Sequence, residues 1–142
     1  MSNSGKGMSL PDFRAKLILE AAVSPSEDLA KVGAAMKNVL GGTEGDPSRG
    51  HSSLKLVTDD GKSLVRIRDS LRDRHVRTAA RRQLLLSASG RSASLMLNRQ
   101  AAAAGVIAIC GSAAESPLGP IYLTIESDKL QAVVDWLTAY EG

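Results

Sequence analysis

Arginine is the chemically capable residue that this chain concentrates. Lys62, Arg66, Arg68, Arg72, Arg74, Arg77, Arg81 and Arg82 fall within 21 residues, opposed there only by Asp69 and Asp73. Eight basic groups against two acidic give this segment a charge of +6, whereas the rest of the chain, ten against thirteen, carries −3. Guanidinium groups stay charged at any physiological pH and match phosphate oxygens in pairs. A region of this sign raises the encounter rate with a polyanion. Arg77 and Arg81 are four residues apart and share a helix face, where like charges are mildly unfavourable until an anion neutralises them. Phosphate contacts there would release counterions and make binding fall steeply with salt. The competing reading is a solvated helix face kept for solubility. The candidate nucleic-acid contacts are Arg66, Arg72, Arg74, Arg77, Arg81 and Arg82, joined by Arg99 and Gln100.

Other constellations are thinner. Asn98, Arg99 and Gln100 stand where a strand hands over to a short helix, so backbone amides and amide side chains can converge on an anion or an exposed base. In the plainer alternative Asn98 caps the helix and Gln100 fixes the neighbouring loop. Glu115 and Ser116 lack the G-x-S-x-G setting of a nucleophile and read as a turn. His51, His75 and Cys110 lack the paired spacing of a zinc site. Gly41, Gly42 and Gly45 follow a helix, and no Gly-Lys-Ser/Thr completes a phosphate loop. Trp136 and Tyr140 flank an apolar stripe, where aromatic side chains pack more often than they stack on bases. The chain therefore reads as having no catalytic residues, no cofactor and no metal.

The elements that must position these groups follow from periodicity. Residues 13–23 alternate, with Phe13, Ala15, Leu17, Leu19, Ala21 and Val23 on the dry side of a first strand. Ser24, Pro25, Ser26 and Glu27 have the form of a capping box with proline at the first helical position. The helix expected after them carries the stripe Leu29, Val32, Met36, Val39 and Leu40, has Gly33 for close approach to a sheet, and stops at Gly41 and Gly42. Residues 41–50 read as a loop and 51–58 as a second strand closed by Asp59, Asp60 and Gly61. Leu64, Ile67 and Leu71 mark a helix face, but continuing the 3.6 period would bury Arg74 and His75, so a break is expected near Asp73. A second helical piece then carries Val76, Ala79, Ala80 and Leu84. Residues 92–97 alternate as a strand, 99–104 form a short helix ended by Gly105, and the apolar run 106–110 reads as a buried strand. Pro117 and Pro120 bracket a rigid turn before the strand of Ile121, Leu123 and Ile125, and Ser127 caps a last helix with the stripe Leu130, Val133, Val134, Leu137 and Tyr140.

The pattern predicts an α+β fold, a two-layer sandwich with a mostly antiparallel sheet and helices on one face. Residues 1–12 read as a disordered, Ser/Gly-rich extension and 13–142 as one α+β domain, since 142 residues suffice for one core. A single cysteine, no apolar stretch near the roughly 20 residues of a membrane span, and no signal-peptide pattern point to the cytoplasm.

Ser24-Pro25-Ser26-Glu27-Asp28, the mid-chain run from Arg68-Asp69-Ser70-Leu71-Arg72 to Ala80-Arg81, Asn98-Arg99-Gln100-Ala101-Ala102 leading to Gly105-Val106, Glu115-Ser116-Pro117-Leu118-Gly119-Pro120-Ile121 and Val134-Asp135-Trp136-Leu137 occur in this order and spacing. On these blocks the chain resembles the archaeal uncharacterised protein family 0201, over nearly everything from Phe13 to Leu137. The resemblance implies a fold like that of ribosomal protein L-five and a distant kinship with RNA-binding or exosome-associated archaeal proteins. It brings no catalytic residues with it.

Two functional expectations result. The first is a non-enzymatic RNA-binding protein, ribosome- or exosome-associated, that holds phosphates through the basic helical segment. The second is a homo-oligomeric structural or adaptor protein that binds a second copy or another protein through a sheet face or edge, with Ile18, Tyr122 and Thr124 as the residues to inspect. An enzyme using the arginines as a phosphate clamp ranks last, because no general acid or base accompanies them.

Overall fold

Alternation of apolar and polar residues produces strands whose inward side chains are almost wholly buried. The computed structural model describes residues 14–41, 47–50, 52–116 and 118–138, the side chain of Arg74 excepted. The chain runs β1 (Lys16–Ala22), α1 (Leu29–Val39), β2 (Ser48–Arg49), β3 (Ser53–Thr58), α2 (Gly61–Ser70), α3 (Arg74–Ser87), β4 (Ser92–Leu97), α4 (Arg99–Ala103), a 3-10 turn (Ala113–Glu115), β5 (Ile121–Glu126) and α5 (Leu130–Thr138). The strands form one antiparallel sheet in the order β2-β3-β1-β5-β4. Leu17, Leu19 and Ala21 of β1, Leu54 and Leu56 of β3, Ala93, Leu95 and Leu97 of β4, and Ile121, Leu123 and Ile125 of β5 face one core with the helices. Against them pack Val32, Met36 and Val39 of α1, Leu64 and Ile67 of α2, Ala80 and Leu84 of α3, and Val133, Val134 and Leu137 of α5. This is the expected two-layer α+β sandwich.

Caps explain where the helices begin. Asp60 accepts the amide of Lys62 before α2, and Asp73 accepts those of His75 and Val76 before α3, which is the break that burying Arg74 would have violated. The start of α1 corrects the capping-box expectation. Glu27 does accept the Ser24 amide at 2.9 Å, but within a turn that precedes the helix, and the cap is Asp28, bonded to the Ala30 amide. At the other end Gly41 takes φ +78°, and a Cβ there would lie 2.7 Å from Cδ of Arg66. Gly33 gives close approach to Pro47 at the start of β2.

Two more expectations change. The presumed loop 41–50 contains the two-residue strand β2, paired with Leu54 and Lys55 of β3. Residues 106–110 are not a regular strand. Val106 is exposed, and the segment is hydrogen-bonded alongside β4 and Asn98 by the Leu97–Ile109 bridge and the bonds Asn98 N–H to Ala108 O and Cys110 N–H to Met96 O.

That contact is part of how the outer edge of β4 is closed. Oε1 of Gln83 accepts the Met96 amide, and its Nε2 donates to the Cys110 carbonyl. Oγ of Ser87 accepts the Ser94 amide at 2.8 Å and donates to the Ser94 carbonyl at 3.1 Å. Ser89 exchanges both backbone bonds with Ser92. Side chains of α3 thus replace the strand that would otherwise be missing. Phe13, residues 1–12, Gly42, Gly45, His51, Pro117 and Tyr140 lie outside the described residues.

Candidate nucleic-acid interface

The cationic segment divides between several surroundings when it folds. Arg66, on α2, turns toward α1 and α4, where Nε donates to the Asn38 carbonyl at 3.2 Å and Nη2 to the Gly105 carbonyl at 3.3 Å. Arg68 lies over the Trp136 ring with its guanidinium carbon 5.1 Å from the centroid, and Nε donates to the Trp136 carbonyl. This cation–π contact ties α2 to α5. Trp136 is therefore engaged with the protein itself.

Helix α3 keeps the part of the segment that faces outward. Arg77, Thr78, Arg81, Arg82 and Leu85, with Thr138 from α5, line a shallow groove of about 290 Å³ that contains three arginines and no carboxylate among its lining residues. Arg77 and Arg81 share a face because they are four residues apart, as the spacing implied. Arg77 donates to the Arg72 carbonyl at 3.0 Å, which holds it across the α2–α3 junction. Arg81 donates to Oδ1 of Asp135 and to Oγ1 of Thr138, both at 3.0 Å, and is half exposed. Arg82 and Arg72 are exposed. The Arg74 side chain lies outside the described residues.

Arg99 is a correction. Its side chain is only 7% exposed and bonds inward: Nη1 to Oε2 of Glu27 at 2.7 Å, Nη2 to the Ala22 carbonyl at 2.7 Å and Nε to the Gly119 carbonyl at 3.1 Å. A guanidinium so enclosed has no face left for a phosphate. It fastens the end of β1, the Ser24–Glu27 turn and the loop before β5 to the start of α4. Burial alone would push the Glu27 carboxyl upward, but the Ser24 amide and the Arg99 guanidinium outweigh it and hold it below the ordinary value. The sequence read Glu27 as a capping residue, and nothing local linked it to Arg99, 72 residues away.

Of the remaining candidates, Asn98, Ser116 and Cys110 have structural places. Asn98 caps α4 through Oδ1 to the Ala101 amide, while Gln100 is exposed. Ser116 is buried, accepts the Arg99 amide and donates to the Gly119 carbonyl, which is the turn expected of it. His75 is exposed and Cys110 is buried, and burial, followed by the Glu115 charge, pushes the Cys110 thiol up. Among the described residues no group of three His, Cys, Asp or Glu side chains is placed to hold a metal ion. No described helix is long and apolar enough to cross a membrane.

No family model matches the chain. Individual relatives do. The chain is 38% identical over 125 residues to the UPF0201 protein of Sulfurisphaera tokodaii, covering 87% of this chain and 86% of that one. It is 38% identical over 128 residues to the UPF0201 protein of Sulfolobus acidocaldarius, with the same coverage. Among solved structures, the UPF0201 protein from Methanococcus jannaschii superposes with a TM-score of 0.71 at 21% identity, over 89% of this chain and 95% of the other. Mth689, a DUF54 protein from Methanothermobacter thermautotrophicus, gives 0.63 at 20% identity over 87% and 95%. The structural matches establish a shared fold; with sequence identity over nearly the whole length, they place this chain in the UPF0201 family.

Proposed function

We propose that the protein is a non-enzymatic RNA-binding protein whose contact surface is the outer face of α3. One observation carries this reading: Arg77, Arg81 and Arg82 line a single groove that no carboxylate lines. Arg72 stands at its α2 end through the bond from Arg77. Arg77 and Arg81 stand about one turn apart along α3, with Arg82 beside them on the groove, an array that can follow a phosphate backbone. The mechanism is electrostatic, with phosphate oxygens replacing condensed counterions. Arg99 takes no part, because Glu27 and the Ala22 and Gly119 carbonyls hold its buried guanidinium, and Arg66 is drawn away from α3 by the Asn38 and Gly105 carbonyls. The ribosomal kinship implied by the family resemblance points the same way, although a fold by itself carries no function.

The test is fluorescence anisotropy of a labelled RNA hairpin across a salt series. Wild-type affinity should fall linearly in log salt, and Arg77→Ala with Arg82→Ala should lower the slope by about 1 per arginine removed. Arg81 is left intact in that test because its ion pair with Asp135 also joins α3 to α5. Unchanged affinity and slope in the double variant would remove the proposal.

A further inference from the structure

The face of the sheet opposite the helices has a charge pattern that fits itself. Register places its outward side chains in rows. One row holds Lys16, Glu126 and Ser92; the next Val57, Ile18, Thr124 and Ser94; the next Lys55, Glu20, Tyr122 and Met96. Val57 is 47% and Tyr122 42% exposed, so apolar area lies open among two lysines and two glutamates. None of Lys16, Glu20, Lys55 and Glu126 forms an ion pair with another described residue, although opposite charges are cross-strand neighbours. With no net charge, this face offers nothing to a polyanion. A partner also cannot extend the sheet at β4, whose outer edge is taken by Gln83 and Ser87.

We infer that this face binds a second copy of the chain, face to face, about a twofold axis that crosses the strands along the Val57–Ile18–Thr124–Ser94 row. That axis lays each strand on its own counterpart, running the opposite way. Ile18 then meets Ile18, Thr124 meets Thr124, and the first and third rows exchange places. Lys16 of each copy falls on Glu20 of the other, and Glu126 falls on Tyr122, whose hydroxyl can donate to it. Sheets so packed stand about 10 Å apart, within the combined reach of a lysine and a glutamate, and their twist keeps central β1 closest to register. A twofold axis parallel to the strands and passing through β1 would instead set Lys16 on Lys16 and Glu20 on Glu20. Four strands of about six residues give a footprint of roughly 400 Å² per copy, below the usual 800 Å² a side, so the dimer is a reversible one.

Sedimentation velocity on the full chain, from about 10 µM to about 1 mM, tests this. The wild type should shift from monomer to dimer within that range. Lys16→Glu and Glu20→Lys should each weaken dimerisation by on the order of tenfold or more, because each sets like charges against each other twice. The double variant Lys16→Glu with Glu20→Lys should recover it, since the swapped charges again face their opposites. An Ile18→Cys variant should be cross-linked to itself by a short bis-maleimide, with buried Cys110 left unlabelled. A wild type that stays monomeric throughout, single reversals without effect, a double variant as weak as the singles, or no cross-link above wild type would each overturn the inference. Circular dichroism identifies any variant that fails to fold.

Discussion

Replacing Arg99 by methionine should cost this protein a large fraction of its stability. The substitution keeps length and apolar stem but removes a guanidinium that is 7% exposed and bonded to Glu27, Ala22 and Gly119. Glu27, itself 10% exposed, is left with the Ser24 amide and no counter-charge. Removing one partner of a buried pair costs about 3–5 kcal/mol. The two stranded carbonyls would add about 1–3 kcal/mol each if dry, but the polar cavity beside Val23, Ser24 and Glu27 admits water, so a total near 4 kcal/mol is expected. On a domain stable by about 5–15 kcal/mol, that lowers the melting temperature by roughly 10–20 °C. Guanidinium denaturation, with the slope unchanged, measures it. Glu27→Gln supplies a second arm. The folded Glu27 titrates below its unfolded value of about 4.3, so its contribution is complete above that pH and is lost as pH falls through the folded value. Wild type should lose its advantage over Glu27→Gln as the pH is lowered past about 4.3. A cost for Arg99→Met under about 1 kcal/mol, or a wild-type advantage that stays flat from neutral pH into acid, would refute the reasoning.

Gln83→Ala should cost about 2–4 kcal/mol in chemical denaturation, because Met96 N–H and Cys110 C=O both lose their partner. Asp73→Ala removes the acceptor of two amides at the start of α3 and should cost about 1 kcal/mol in a thermal melt followed by far-ultraviolet circular dichroism. Cys110 should not react with a thiol-specific disulfide reagent in the native protein at mildly alkaline pH, since burial both shields it and holds back the thiolate; full reaction is expected on unfolding, and fast native labelling would contradict the burial.

Period and caps were readable wherever local physics decides. Strands β1, β4 and β5 alternate cleanly because one face is wet, and the break at Asp73 was forced by the cost of burying Arg74 and His75 in the helix stripe. Tertiary demands overrode local signals elsewhere. Glu27 has the spacing of a capping residue, yet it answers to Arg99, 72 residues away, and α1 starts only at Asp28. Strand β2 is too short to show a period inside a Gly-rich run. Residues 106–110 are apolar enough for a buried strand, but Gln83 of α3 takes the Cys110 carbonyl beside the β4 edge, and the segment never gains a ladder. For the candidate site, the clustering of Arg77, Arg81 and Arg82 followed from helical spacing. The loss of Arg66 and Arg99 did not, because it depends on carbonyls of Asn38, Gly105, Ala22 and Gly119 that only folding brings near.

The position of β1 governs when this chain can fold during synthesis. Its first strand is the middle one, hydrogen-bonded to β3 on one side and to β5 on the other, and Lys16 pairs with Glu126 across 110 residues. Contacts of such sequence separation are slow to close, and those with β5 cannot begin until β5 itself has been translated. Leu17 and Leu19, fully buried in the folded sheet, must wait unsheltered on one flank while the residues between β1 and β5 emerge.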